Sequence, residues 1–321
     1  MANRMRWWRL PSTLLILLFV IGPLIEQWGS DGVFAYHDPE SGDQGHPSTQ
    51  VEPPDQTHPP SDPNRAKKGD DPIDVASGNF IHEQVDLLLR GRIPLQIKRT
   101  YNCQDMFEGP FGFGWTFTYQ IALVEVKEGS ETWVIISREG KRLHFKDNGD
   151  GTYTSPPGYF QTLVKTSGGW RLTEKTGQRH EFNTSGQFTA FIDRHGNAIT
   201  LTYDGKGRLA TVRDQGGRTL SFAYGSNNKV ATITDPGGRI FTYGYNAKGN
   251  LTTFSDPAGN TIQYAYDDKN RMTRITDPRG TTFLTNVYDE KNRVTTQTFN
   301  GATSRYYYYD GYTRMEIPGS G

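Results

Sequence analysis

A single cysteine, Cys103, stands among 321 residues, so no intramolecular disulfide can form and the fold must rest on packing and hydrogen bonding. Cys103 lies far from the N-terminal segment, which argues against a lipid-anchored lipoprotein, and core packing is its expected role. Excess charge is missing too: Lys plus Arg number 35 and Asp plus Glu number 35. Removing residues 1–35 takes away three basic and two acidic residues and leaves a net charge of about −1. That balance supplies no drive towards nucleic acid or anionic lipid, and neither is expected as a partner. Long apolar runs are also lacking, the main one being Leu14 to Ile21. It falls short of the roughly 20 residues a spanning helix needs.

Catalytic and metal-binding constellations are absent as well. Ser221, Ser226 and Ser255 sit in no Gly-x-Ser-x-Gly elbow. His195 has Asp193 and Thr200 nearby, but Gly216, Gly237, Ala258 and Arg279 fill the equivalent slot elsewhere, which marks a variable turn position and not a general base. The run Asp147-Asn148-Gly149-Asp150-Gly151-Thr152 puts glycine where an EF-hand needs oxygen donors, so a hairpin turn is expected. His37, His46 and His58 are too scattered to hold a metal. No enzyme activity, metal or cofactor is expected.

What is present is a period. Aspartate recurs every 21 residues at Asp193, Asp214, Asp235, Asp256 and Asp277, and glycine follows three places later at Gly196, Gly217, Gly238, Gly259 and Gly280. A fixed period of this length marks a repeat architecture, and residues identical in every unit point to a structural job. Facing carboxylates at glycosidase spacing would be the alternative use of the aspartates. Between each glycine and the next aspartate run three apolar columns. The first is Ile199, Leu220, Phe241, Ile262 and Phe283; the second is Leu201, Phe222, Tyr243 and Tyr264; the third is Tyr203, Tyr224, Tyr245 and Tyr266. Alternation at period two in β-branched and aromatic residues places these side chains on one face of a strand.

A polar turn follows each tyrosine, such as Asp204-Gly205-Lys206-Gly207, Asn246-Ala247-Lys248-Gly249 and Asp267-Asp268-Lys269-Asn270. Asp, Asn and Gly tolerate the positive φ that tight turns need. The second strand carries Leu209 and Val212, Val230 and Ile233, Leu251 and Phe254, Met272 and Ile275. A spacing of three requires either a bulge or burial on both faces. The strand ends in Asp-Pro-x-Gly at Asp235, Asp256 and Asp277, where proline presets the turn. One residue is inserted after Gly280, giving Tyr288-Asp289 and then Tyr309-Asp310.

The pairs Tyr203-Asp204, Tyr266-Asp267, Tyr288-Asp289 and Tyr309-Asp310, with Gly-x-Leu/Val after them, resemble YD repeats of the RHS (rearrangement hotspot) family. Gly225 and Asn246 depart from the pattern but are turn formers. A degenerate unit with Phe182-Asn183 and Gly186-Gln187-Phe188 extends the run backwards. Ahead of it, Asp71-Pro72-Ile73-Asp74-Val75-Ala76-Ser77-Gly78-Asn79-Phe80, Arg92-Ile93-Pro94-Leu95, Arg99-Thr100-Tyr101-Asn102 and Gly109-Pro110-Phe111-Gly112-Phe113-Gly114-Trp115 resemble, in order, the domain of unknown function that heads many RHS proteins. Pro94 to Tyr101 alternates apolar and polar like a half-exposed strand, and the glycine-rich stretch permits a tight path under Trp115.

The expected chain is therefore mainly β: a β-rich cap at 71–145, then 21-residue hairpin repeats at 146–321 forming a curved, open β-sheet strip. A cap is needed because a first repeat would otherwise expose strand edges and an apolar face. The resemblance implies a non-enzymatic segment of a shell that similar proteins wind around a C-terminal effector or toxin, at cell surfaces or in competition between cells. The terminal Ile317 to Gly321 stops one residue short of the next glycine slot, so the chain is expected to be either a truncated product or a fragment of a longer protein that carries the C-terminal core and effector. Two uses of the tyrosine column stay open. Tyr203, Tyr224, Tyr245 and Tyr266 form an internal ladder if that face is buried, or contact cell-surface glycans if it lines a groove.

Arg4, Arg6 and Arg9 before the apolar run fit a secretory signal peptide over 1–35. Val33-Phe34-Ala35 supplies a small-residue site, with cleavage after Ala35 leaving Tyr36 first; retention as an N-terminal anchor is the alternative. No further membrane contact is expected. Residues 36–70 hold seven prolines and almost no large apolar side chains, so they form a disordered tether. The expected location is secreted or cell surface.

Overall fold

The computed structural model describes residues 73–138 and 141–317. The expected signal segment with Ala35 and Tyr36, the expected tether at 36–70 and the last four residues lie outside the described residues. Every regular element is a strand. Strands β1 (Ile73–Asp74), β2 (Asn79–Leu89), β3 (Leu95–Asn102) and β6 (Trp115–Phe117) form a small sheet in that order, and β4 (Glu108–Gly109) pairs with β5 (Gly112–Phe113) beside it. From β7 (Ile121–Glu128) onward each strand pairs antiparallel with the next, making one sheet of twenty strands.

The sheet begins with β7, β8 (Glu131–Arg138), β9 (Lys141–Asp147), β10 (Thr152–Thr154), β11 (Thr162–Thr166), β12 (Gly169–Thr173), β13 (Arg179–Asn183) and β14 (Phe188–Ile192). The regular repeats are hairpins of β15 (Ala198–Tyr203) with β16 (Leu209–Asp214), β17 (Thr219–Tyr224) with β18 (Val230–Thr234), β19 (Ile240–Tyr245) with β20 (Leu251–Ser255), and β21 (Thr261–Tyr266) with β22 (Met272–Thr276). Then come β23 (Thr282–Tyr288), β24 (Val294–Phe299), β25 (Ala302–Tyr309) and β26 (Tyr312–Glu316). The cap and strip are less separate than a boundary at 145 implies: β7 to β9 already belong to the long sheet.

The strip stays open, and among the described residues β26 has no strand on its outer edge. It nevertheless curls far enough for β7 to meet the turn between β13 and β14. Ala122 bridges Gln187, and Leu123 N donates to Gly186 O at 2.9 Å. Gly186 has φ +74, and a Cβ there would lie 1.9 Å from Leu123 O. Only glycine permits this approach.

Each repeat hairpin carries a bulge, which answers the question left by the spacing of three. Tyr203 faces Leu209 and Thr202 faces Thr211, so Ala210 has no partner; Ala231, Thr252, Thr273 and Thr295 are the unopposed residues in later units. The extra residue offsets the alternation, so Leu209 and Val212, or Leu251 and Phe254, point to the same buried side. Removing such a side chain from water contributes roughly 1.5–3 kcal/mol.

Two expectations about register need correction. The residue inserted after Gly280 is absorbed as a bulge in β23. There Ile275 faces Leu284 and Thr276 faces Thr282, so the fully buried Leu284 takes the first-column place assigned to Phe283. At the end, Tyr308 and not Tyr309 occupies the tyrosine column. Its hydroxyl donates to Val294 O, and the Arg293 guanidinium lies 4.3 Å from its ring centre. Tyr309 is exposed. The shift arises because Asn300-Gly301 and Asp310-Gly311 make two-residue turns, in which Phe299 faces Ala302 and Tyr309 faces Tyr312.

Candidate functional site

The aspartates stand at the turns along one edge of the sheet. Asp193 Oδ1 accepts from the backbone N–H groups of His195 and Asn197 at 2.8 and 2.9 Å, and Asp235 Oδ1 accepts from those of Gly237 and Arg239, both at 2.9 Å. Asp256 and Asp277 do the same, and Asp214 Oδ1 binds Arg218 N at 2.9 Å. The other oxygen accepts from a side chain four residues on, such as Asn197, Arg218, Arg239 or Asn260. The bond from Asn197 and the two backbone donors hold the Asp193 carboxyl below its usual range. At Asp235, burial pushes the carboxyl up, but the Arg239 side chain and the backbone donors outweigh it and lower it. Gly196, Gly217, Gly238, Gly259 and Gly280 have φ of +82°, +88°, +78°, +85° and +83°. These carboxylates are committed to their own turns. His195 is exposed, with Arg194 Nε 3.0 Å from its Nε2.

The tyrosines face inward. Tyr203, Tyr224 and Tyr245 are half-buried, and their hydroxyls donate to Phe188 O, Leu209 O and Val230 O at 2.7, 2.9 and 2.8 Å. Tyr288 repeats the bond to Met272 O at 2.6 Å, while the Tyr266 hydroxyl accepts from Trp115 Nε1 at 2.9 Å. Burial pushes all four column phenols, Tyr203, Tyr224, Tyr245 and Tyr266, upward. The Arg208 guanidinium covers the Tyr224 ring at 4.3 Å, and Pro110 O lies 3.4 Å from the Tyr245 hydroxyl. This is the geometry of the internal ladder. A sugar stacking on Tyr245 would have to displace the cap.

Phe188, Leu209, Val230, Met272 and Val294 all open the bulged strand of their hairpin. Their carbonyls are the ones the tyrosine hydroxyls take. The cap uses the amides of the same places: Val230 N donates to Pro110 O at 2.9 Å, Met272 N to the Tyr101 hydroxyl at 2.8 Å, and Val294 N to Gly78 O at 2.9 Å. A bulge disrupts the ladder locally and leaves backbone groups for other partners, so the repeat irregularity is where cap and neighbouring units attach.

At the centre of the interface lies a charged pair that the sequence reading passed over. Strict alternation along β3 buries Leu95, Ile97, Arg99 and Tyr101 and turns Gln96, Lys98 and Thr100 outward. Arg99 binds Asp86 in a two-pronged contact at 2.6 and 2.8 Å, with both side chains fully buried. Asp86 faces inward because β2 carries its own bulge between Val85 and Leu87. Tyr243 donates to Asp86 Oδ2 at 2.8 Å, and Arg99 Nη2 lies 3.3 Å from the Tyr264 hydroxyl. The guanidinium carbon is 4.5 Å from the Trp115 ring centre and 5.2 Å from that of Phe254. Burial draws the Arg99 guanidinium down, yet Asp86 and the neighbouring phenols push it well above its ordinary value. The signal that could have found it was a charged residue in the apolar phase of a strand.

Among the described residues no group of His, Cys, Asp and Glu could hold a metal ion. Cys103 is buried, with Phe80 N 3.1 Å from its sulfur, and burial pushes the thiol up to about 11. A repeated β-hairpin strip whose polar groups serve its own turns, sealed on one face by a small cap sheet, defines a β-repeat scaffold. Comparison with known proteins places it further. Residues 203–240 and 245–282 match the RHS Repeat, and residues 70–145 match a domain of unknown function, DUF6531. The strip is therefore built, over those residues, of RHS repeats.

Over 139 residues the chain is 32% identical to the tRNA nuclease WapA of Bacillus subtilis (strain 168), and over 150 residues 30% identical to the probable deoxyribonuclease RhsA of Dickeya dadantii (strain 3937). Those matches cover 43% and 44% of this chain but 6% and 10% of the relatives, so the chain spans no more than a tenth of their length. A solved Photorhabdus luminescens Tc holotoxin pore aligns with 75% of this chain and 15% of its own, at 12% identity and a TM-score of 0.35.

Proposed function

We propose that this chain is a non-enzymatic wall segment of an exported, toxin-like RHS protein, and that any effector chemistry belongs to another part of the full-length protein. The observation that carries the reading is the commitment of its chemical groups. The periodic carboxylates accept from their own turns, the column tyrosines bind neighbouring units or the cap, and the arginine in the core is paired with Asp86. The relatives named as nucleases are far longer than the stretch they share with this chain. Export rests on the basic and apolar pattern of residues 4–21.

The test has two arms. Purified protein is incubated with tRNA, duplex DNA, peptide and glycoside substrates, and no product above the buffer rate is expected. Turnover that co-purifies with the protein and is lost in a point variant would overturn the non-enzymatic reading. Residues 1–45 are also fused to a reporter phosphatase active only outside the cytoplasm. Activity is expected, with loss when Leu14 to Val20 is deleted; equal activity without that run would overturn export.

A further inference from the structure

A cleft of about 440 Å³ opens where the β2–β3 loop of the cap meets the turns at Asp193 and Asp214. Its walls carry two guanidiniums, Arg92 and Arg218, and one carboxylate, Asp214. Asp214 is already spent, because Arg218 N reaches Oδ1 at 2.9 Å and Arg218 Nε reaches Oδ2 at 2.7 Å. Arg218 is held in place from the other side as well. Its Nη1 donates to Arg90 O at 2.8 Å, and Nη2 lies 2.4 Å from where a Cβ on Gly91 would stand. A side chain at position 91 would push the end of Arg218 aside.

The remaining donors have little to bind. Arg92 makes one long contact, Nη1 to Asn197 Oδ1 at 3.4 Å, and the Gln215 amide lies on the exposed rim. Asn197 Nδ2 is engaged by Asp193 at 2.7 Å. With Arg218 and Asp214 paired, the cleft keeps one net positive charge, on Arg92. That charge and its spare N–H donors suit an anion, and paired guanidinium N–H groups suit carboxylate or phosphate geometry. The volume exceeds that of a bare phosphate, and Ile93 and Ala198 supply an apolar wall for the C–H face of a ring.

We propose that this cleft binds an anion-bearing sugar unit, a uronate or a sugar phosphate, and that Arg92 is its principal contact. The site is separate from the tyrosine column and does not depend on the wall-segment reading. A ligand seated there touches cap and repeats at once and holds the two together.

Calorimetric titration of the full chain with glucuronate, glucose 6-phosphate, inorganic phosphate and glucose tests this. Both charged sugars are expected to bind and glucose is not, with binding weakened by added salt. Arg92→Ala should weaken binding roughly tenfold, while its melting temperature without ligand stays within about 1 °C of the parent. Gln215→Ala should weaken it by a smaller factor. Hydrogen exchange of residues 89–94 should slow when glucuronate is present. Equal binding of glucose and glucuronate, no binding of either charged sugar, or unchanged binding by Arg92→Ala would overturn the site. Inorganic phosphate binding as tightly as glucose 6-phosphate would overturn the sugar assignment.

Discussion

At Arg99 and Asp86 two charges leave water together, and each depends on the other. Removing one partner strands a buried charge, so Arg99→Met alone or Asp86→Leu alone should lower stability by roughly 3–5 kcal/mol. Arg99→Met with Asp86→Leu should cost less than either single change, and denaturant unfolding of the four proteins measures the coupling. His180 supplies the pH dependence at this scale. Its ring packs against Phe188 and Phe191, and burial, with the nearby Arg138 charge, lowers its pKa to about 4 while Glu174 opposes. An unfolded histidine titrates near 6.5, so as pH falls the unfolded chain takes the proton first. The contribution is complete above about 6.5 and is lost between there and about 4, up to about 3 kcal/mol in all. Urea midpoints from pH 7 to 4.5 should fall more steeply for the parent than for His180→Leu.

The hairpin is the unit at the next scale, and its bulge and tyrosine act together. Tyr245→Phe removes the bond to Val230 O and should cost roughly 1 kcal/mol, read as a shifted denaturation midpoint. Gly238→Val should cost roughly 1–3 kcal/mol because of its positive φ, although nothing stands within 4 Å of its Cβ position. Lys248→Ala, which loses only an exposed contact to Asp268, should change little; equal losses for the two variants would contradict the turn geometry. Much of this unit was legible from sequence. The Asp–Gly turns, the alternation that puts the columns on one face and the polar hairpin loops are local patterns, whereas the burial of the tyrosine face was not legible. The bulge was not legible, since a spacing of three is compatible with two backbone paths and only the opposing strand selects one. The last hairpin was misread for the same reason: Tyr309 keeps the period, but two short turns pass the slot to Tyr308.

Across the whole molecule, the cap substitutes for what a twenty-strand open sheet lacks on its inner face. It covers Phe222, Tyr243, Phe254 and Tyr264 with Phe117, Phe111, Arg99 and Trp115, and it occupies amides at three bulges. A chain starting at Ile121 should therefore bind a hydrophobic dye and elute as aggregate, where the full chain is expected to elute as a defined species. A monodisperse, dye-silent truncated chain would show that the strip closes its own inner face. The cap contacts join residues more than a hundred positions apart, such as Pro110 with Val230 and Tyr101 with Met272. No period or local motif encodes such a pairing.

The amino-acid sequence by itself determined the strand period, the turns and the RHS resemblance, because these express φ/ψ preferences and side-chain alternation within one unit. Tertiary structure decided the rest. It chose which amide each bulge would free, which tyrosine would fill the final slot and where Arg99 would find its counter-charge. Those outcomes depend on a second surface arriving from far along the chain, and desolvation makes each buried polar group take whatever partner that surface offers.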